Sequence, residues 1–144
     1  SSGMIEKYVN DVRVWAQSAT APGGGRVIDL QWVKLSLARV HARLEFLRLI
    51  NWKIAWGVNK GLNPADASAT KVFGTEFYLR AFKALSEVVG QASYLQRGSD
   101  AAVLAGRLEM YYRSMVILTF GGGTNEMQRD LIALFGLNMP PSPR

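Results

Sequence analysis

Gly121, Gly122 and Gly123 stand directly ahead of Thr124, Asn125 and Glu126. Glycine lets bare backbone approach a ligand, and a threonine placed after it can start a helix whose first amides lack intrahelical partners. Such a place attracts phosphate or another anion. The same residues also make an ordinary hinge between two helices with Thr124 as the cap, and on their own the glycines favour that plainer reading.

Other chemistry is scarce. The chain has no cysteine, so disulfide scaffolds and thiolate metal sites are excluded, and the lone His41 cannot build a zinc site. No metal site and no catalytic residue are assigned. His41 lies among Arg39, Arg43 and Glu45, where a rim position is expected rather than a general base. Glu6 reads as a solvated first-turn carboxylate. A formal charge of +6 and a pI near 9.9 suit an anionic partner such as a phosphorylated cofactor. The basic residues Lys34, Arg39, Arg43, Arg48, Lys53 and Lys60 scatter around one segment without interleaved aromatics, so no nucleic-acid partner is expected. The longest uncharged apolar stretch, from Ser114 to Phe120, falls short of the ~20 residues that cross a bilayer, so no membrane insertion is expected either. A soluble, cytoplasmic protein fits these features.

The elements that must position the glycine turn all read at helical spacing, and no window alternates apolar and polar residues as a half-buried strand would. The pattern predicts an all-α fold. Ser1, Ser2 and Gly3, ahead of Met4, read as vector residue. A first helix from Met4 to about Gln17 places Ile5, Tyr8, Val12 and Trp15 on one face, and the run from Ala21 to Gly25 ends it. A long second helix carries a seam of Leu30, Val33, Leu37, Val40, Leu44, Leu47, Asn51, Ile54 and Val58, with Asn51 its one polar member and Gly61 its stop. Asn63, Pro64 and Asp66 start a third helix reaching to about Leu95. Its apolar residues cover more than one face, which implies a central position or a subunit interface; dimerisation through this helix is the expectation. Ser99 and Asp100 read as the cap of a fourth helix with Leu104, Leu108, Tyr111, Met115 and Leu118 in one stripe. Thr124 caps a last helix with Met127, Leu131 and Leu134 inward, ending at Gly136. The reading is therefore a four-helix up-and-down bundle with a short extra C-terminal helix over 4–137, followed by a loose proline-rich tail over 138–144.

The string from Gly121 to Ala133, Gly-Gly-Gly-Thr-Asn-Glu-Met-Gln-Arg-Asp-Leu-Ile-Ala, resembles the C-terminal signature of the acyl-CoA dehydrogenases. The resemblance extends back to about Arg26 through the order of helices, and an actinobacterial branch with two unlike subunits is compatible with it. It implies a bundle at the oligomer core, with FAD as cofactor and an acyl-CoA thioester as substrate in the complete enzyme. It also implies FAD contacts at Gly122, Gly123, Thr124 and Glu126, where Glu126 stands at a place often held by glutamine. Val88-Val89-Gly90 is similar to a second flavin-adjacent turn of the family, with Gln91 replacing its usual second glycine. Arg13 corresponds to an arginine that reaches a flavin phosphate, although the phenylalanine and glycine expected after it are missing. The family's base is often a glutamate immediately before the Gly-Thr pair, and in other members a glutamate further upstream, at the beginning of the first bundle helix. Here the position before that pair is Gly122, which cannot accept a proton.

The resemblance thus implies the C-terminal domain of a flavin-dependent acyl-CoA dehydrogenase, inactive alone, that contributes FAD contacts and joins a homo- or hetero-oligomer. Two other readings stand beside it: a noncatalytic dehydrogenase subunit, and a stand-alone helical interaction module with a basic surface.

Overall fold

The computed structural model describes residues 2–141, which form five α-helices: α1 (Ser2–Ser18), α2 (Gln31–Gly57), α3 (Pro64–Val89), α4 (Arg107–Met115) and α5 (Asn125–Leu131). Residues 142–144 of the proline-rich tail and Ser1 lie outside the described residues. The only extended pairing among the described residues is a single antiparallel bridge between Thr20 and Arg26, in the link between α1 and α2. Gly24 and Gly25 make that link possible with φ of 85° and 75°, a region closed to most side chains.

α3 is the centre of the bundle. Its Phe77, Phe82, Leu85 and Val88 are buried on contact with α1, α2 and α4, and α5 closes its N-terminal half. The apolar surplus read from the sequence is therefore consumed inside the chain, and α3 offers no wide face for dimerisation. Asn63 caps its start as expected, its Oδ1 accepting from the Ala65 amide at 2.9 Å, with Pro64 in the first turn. One aromatic cluster joins three helices: the Tyr8 ring of α1 lies 5.5 Å from Phe82 of α3, and Phe82 stacks with Tyr111 of α4 at 5.7 Å.

The seam of α2 is buried through Val33, Leu37, Val40, Leu44 and Leu47 and stops there. Asn51 is exposed, and its amide donates to the Leu47 carbonyl at 2.8 Å, so it is not a buried register residue. The reason is geometric: α1 ends its cover of α2 near Arg48, where Glu6 of α1 forms an ion pair with the guanidinium. Glu6 is thus held by Arg48 and not simply solvated. From Phe46 onward α2 turns outward a stripe of Phe46, Leu49, Trp52 and Trp56, with Trp52 71% and Trp56 70% exposed.

The fourth helix starts later than Ser99 and Asp100 imply. Residues Val103–Gly106 form a tight turn in which Leu104 and Ala105 take left-handed φ of 51° and 56°, and α4 begins only at Arg107. Gly106 explains this. A Cβ there would lie 2.5 Å from the Arg97 amide nitrogen, so two backbone segments touch where the chain swings back onto α3. Leu108 of α4 is fully buried, and Leu104, Tyr111, Met115 and Leu118 pack against the core, as the stripe predicts.

Candidate functional site

The glycine turn sits between the end of the Val116–Thr119 turn and the start of α5, over the N-terminal half of α3. Gly122 and Gly123 adopt φ of 72° and 91°. A Cβ on Gly122 would meet no atom within 4 Å, so the turn presents open space there, whereas one on Gly123 would press on the Gln128 side chain at 3.0 Å.

Thr124 caps α5 by accepting from the Met127 amide at 3.2 Å. The face of α5 is not the one its apolar residues imply. Asn125 is buried against α3, while Met127 is 61% exposed; Leu134, in the π-helical turn Ile132–Gly136 that follows α5, is exposed as well. Polar bonding decides the rotation. The Asn125 Oδ1 accepts from Lys71 Nζ at 2.7 Å, its Nδ2 donates to Thr75 Oγ1 at 3.1 Å, and Arg129 of α5 forms an ion pair with Glu76. Lys71, Thr75, Asn125 and Gln128 carry no role in the sequence pattern alone and gain one from their hydrogen bonds. For Lys71 and Thr75 the signal is a polar stripe with Ser68 at three- and four-residue steps along α3.

Lys71 Nζ also donates to the carbonyls of Gly123 at 2.8 Å and Thr119 at 3.3 Å, and the Gln128 amide donates to the Gly122 carbonyl at 3.0 Å. All peptide bonds here are trans, so a carbonyl turned one way sends the next amide the other way. The N–H groups of Gly123 and Thr124 consequently face away from Lys71 and Gln128. Glu126 stands beside them. Its carboxyl is held below the usual range by its own backbone amide and then by the Thr124 hydroxyl, with Arg129 and Lys71 adding attraction.

The remaining predicted positions lie elsewhere in this chain. Gly90 ends α3 with φ 77° and donates its amide to the Ser86 carbonyl. It is 19 residues along α3 from Lys71, the residue that holds the glycine turn, a separation of roughly 28 Å along the helix axis at about 1.5 Å per residue. Arg13 lines a groove of about 730 Å³ between α1 and α2, together with Glu6, Asn10 and His41, and its guanidinium donates to Asn10 at 2.9 Å. His41 is an exposed rim residue of that groove. Gly122, Gly123, Thr124 and Glu126 are thus brought together, and Gly90 and Arg13 are not brought to them. No group of three metal-ligating side chains occurs among the described residues.

A family model described as the acyl-CoA dehydrogenase C-terminal domain matches residues 1–136. The chain belongs to the acyl-CoA dehydrogenase family. Acyl-CoA dehydrogenase FadE26 of Mycobacterium tuberculosis is 50% identical over 140 residues, covering 94% of this chain and 35% of the relative. The ChsE4-ChsE5 complex from the same organism superposes with a TM-score of 0.93 at 49% identity, covering 99% of this chain and 36% of that one. The steroid ACAD Tcur3481-Tcur3483 gives 0.89 at 41% identity, with 98% and 35% covered. The chain spans about a third of the length of these acyl-CoA dehydrogenase relatives. Within that third the helical architecture predicted from the sequence is the one the relatives share.

Proposed function

We propose that this chain is the flavin-contacting and oligomer-forming domain of an FAD-dependent acyl-CoA dehydrogenase, and that it is inactive on its own. Family membership carries the reading, and the shape of the glycine turn supports the cofactor. Gly122 faces open space, and the Gly123 and Thr124 amides are turned away from Lys71 and Gln128, as an anionic or carbonyl-bearing cofactor edge requires. FAD, when bound, accepts the hydride removed from an acyl-CoA thioester. Gly122, Gly123 and Thr124 would hold the cofactor through backbone, and Glu126 would accept a hydrogen bond at its edge.

The wide separation of Gly90 and Arg13 from the turn supports a site shared between subunits, with one copy's turn serving a neighbour's flavin. The α2 stripe of Phe46, Leu49, Trp52 and Trp56 is the apolar surface available for such assembly. Relatives described as the ChsE4-ChsE5 complex and as a steroid ACAD of two named components favour a hetero-oligomer and a steroid-bearing thioester.

Gly122 favours a second reading. With no carboxylate before the Gly-Thr pair, the chain also suits a noncatalytic dehydrogenase subunit that holds flavin without supplying the base. One experiment separates the readings: the visible spectrum of the full-length protein, alone and with its partner subunit, before and after steroid, fatty and branched acyl-CoA thioesters. Bleaching by one class supports the dehydrogenase and names its substrate. Yellow protein that bleaches only with its partner supports the noncatalytic role, and colourless protein that ignores added FAD defeats both.

A further inference from the structure

We infer that Lys71, with Gln128, is a positioning residue for the glycine turn: the two side chains fix the peptide planes that present the Gly123 and Thr124 amides to the cofactor. The inference rests on the flavin reading above. Its basis is the distribution of acceptors. Lys71 Nζ holds one carbonyl before the glycines, Thr119, and one at their end, Gly123, and a third bond to Asn125 Oδ1 ties the start of α5 to the same ammonium. Gln128 reaches back from the next turn of α5 to the Gly122 carbonyl.

A run of glycines has many accessible backbone states, and Gly122 and Gly123 would otherwise sample both signs of φ. Each fixed carbonyl selects one orientation of its peptide, so Lys71 and Gln128 together select two successive planes. The ammonium is well suited to this, since it offers three donors in three directions while its stem stays on the rigid central helix. Thr75 completes the support by bonding Asn125 from one turn further along α3, 3.2 Å from Oδ1.

The test uses the full-length protein with Lys71→Met and Gln128→Leu, singly and together. Apoprotein is reconstituted with FAD, and affinity, the flavin's visible band positions and the apoprotein melting temperature are read side by side. Lys71→Met is expected to raise the FAD dissociation constant by about tenfold and Gln128→Leu by about threefold, with shifted flavin bands. The double variant is expected to fall short of the product of the two, because both side chains act on one turn. If Lys71→Met does not fold, Gln128→Leu decides alone. Wild-type protein that takes up FAD while the folded variants bind it within about twofold, with unshifted bands, overturns the positioning role and leaves the functional reading intact. Wild-type protein that never takes up FAD defeats the functional reading, and the positioning role with it.

Discussion

The rings of Tyr8 and Tyr111 lie 5.0 Å apart, joining the first helix to the fourth across Phe82 of the central one. Because Phe82 is fully buried and touches both, Phe82→Ala removes the hub of a three-helix contact. A loss of about 3–5 kcal/mol is expected, read as a lowered urea midpoint with the slope unchanged.

The same cluster sets an alkaline limit. Burial, and then the neighbouring Tyr111 hydroxyl, push the Tyr8 hydroxyl from 10.0 up to about 12. A raised value in the folded state favours the neutral phenol, so its contribution to stability is complete below pH 10 and is lost as pH rises toward 12. Tyrosinate absorbance should rise late and together with unfolding. Tyr8→Phe should remove part of the alkaline slope while leaving the neutral melting temperature within a few degrees.

Two left-handed glycines should respond differently to alanine. At Gly106 the added Cβ would collide with the Arg97 backbone at 2.5 Å, besides the strain of φ 66°. At Gly122 only the strain applies, since no atom lies within 4 Å of the added carbon. Thermal denaturation should therefore show Gly122→Ala costing about 1 kcal/mol and Gly106→Ala costing roughly 3 kcal/mol or more. Equal losses would mean that the close approach at Gly106 relaxes freely.

Glu126 gives an acid-side prediction. Its carboxyl is depressed by its own amide and the Thr124 hydroxyl, so the folded state keeps the charge to lower pH than the unfolded chain does. The stabilisation is present above the ordinary carboxylate range and fades as pH falls through the depressed value. Glu126→Gln should flatten that part of the acid-denaturation curve and leave stability at pH 7 to 9 unchanged in its pH slope.

Trp52 and Trp56 offer a test of the proposed assembly. Both are about 70% exposed in this chain, with Lys60 Nζ 3.7 Å over the Trp56 ring. In the full-length protein, association through the α2 stripe should shift tryptophan emission to shorter wavelength. Trp52→Glu together with Trp56→Glu should reduce the oligomer by sedimentation while the monomer's helical signal persists.

The sequence by itself determined the helices and their order, because apolar residues at three- and four-residue steps, the Asn63 cap and the Gly61 stop are local signals. The Gly121 to Glu126 turn is equally local, three glycines ahead of the Thr124 cap. What the sequence could not show depended on partners distant in the chain. Asn51 sits in register with a buried seam, yet it is exposed because α1 covers α2 only as far as Arg48. Met127 looks like a core residue, yet α5 is rotated so that Asn125 meets Lys71 and Thr75, and Leu134 is turned out in the π-helical turn Ile132–Gly136 beyond it. Lys71 itself reads as one more surface cation until the fold brings Thr119 and Gly123, about fifty residues away, onto its three donors. Periodicity fixes which side of a helix is apolar. Only the packed structure decides how much of that side another helix covers, and where a buried polar bond outweighs an apolar contact in setting the rotation.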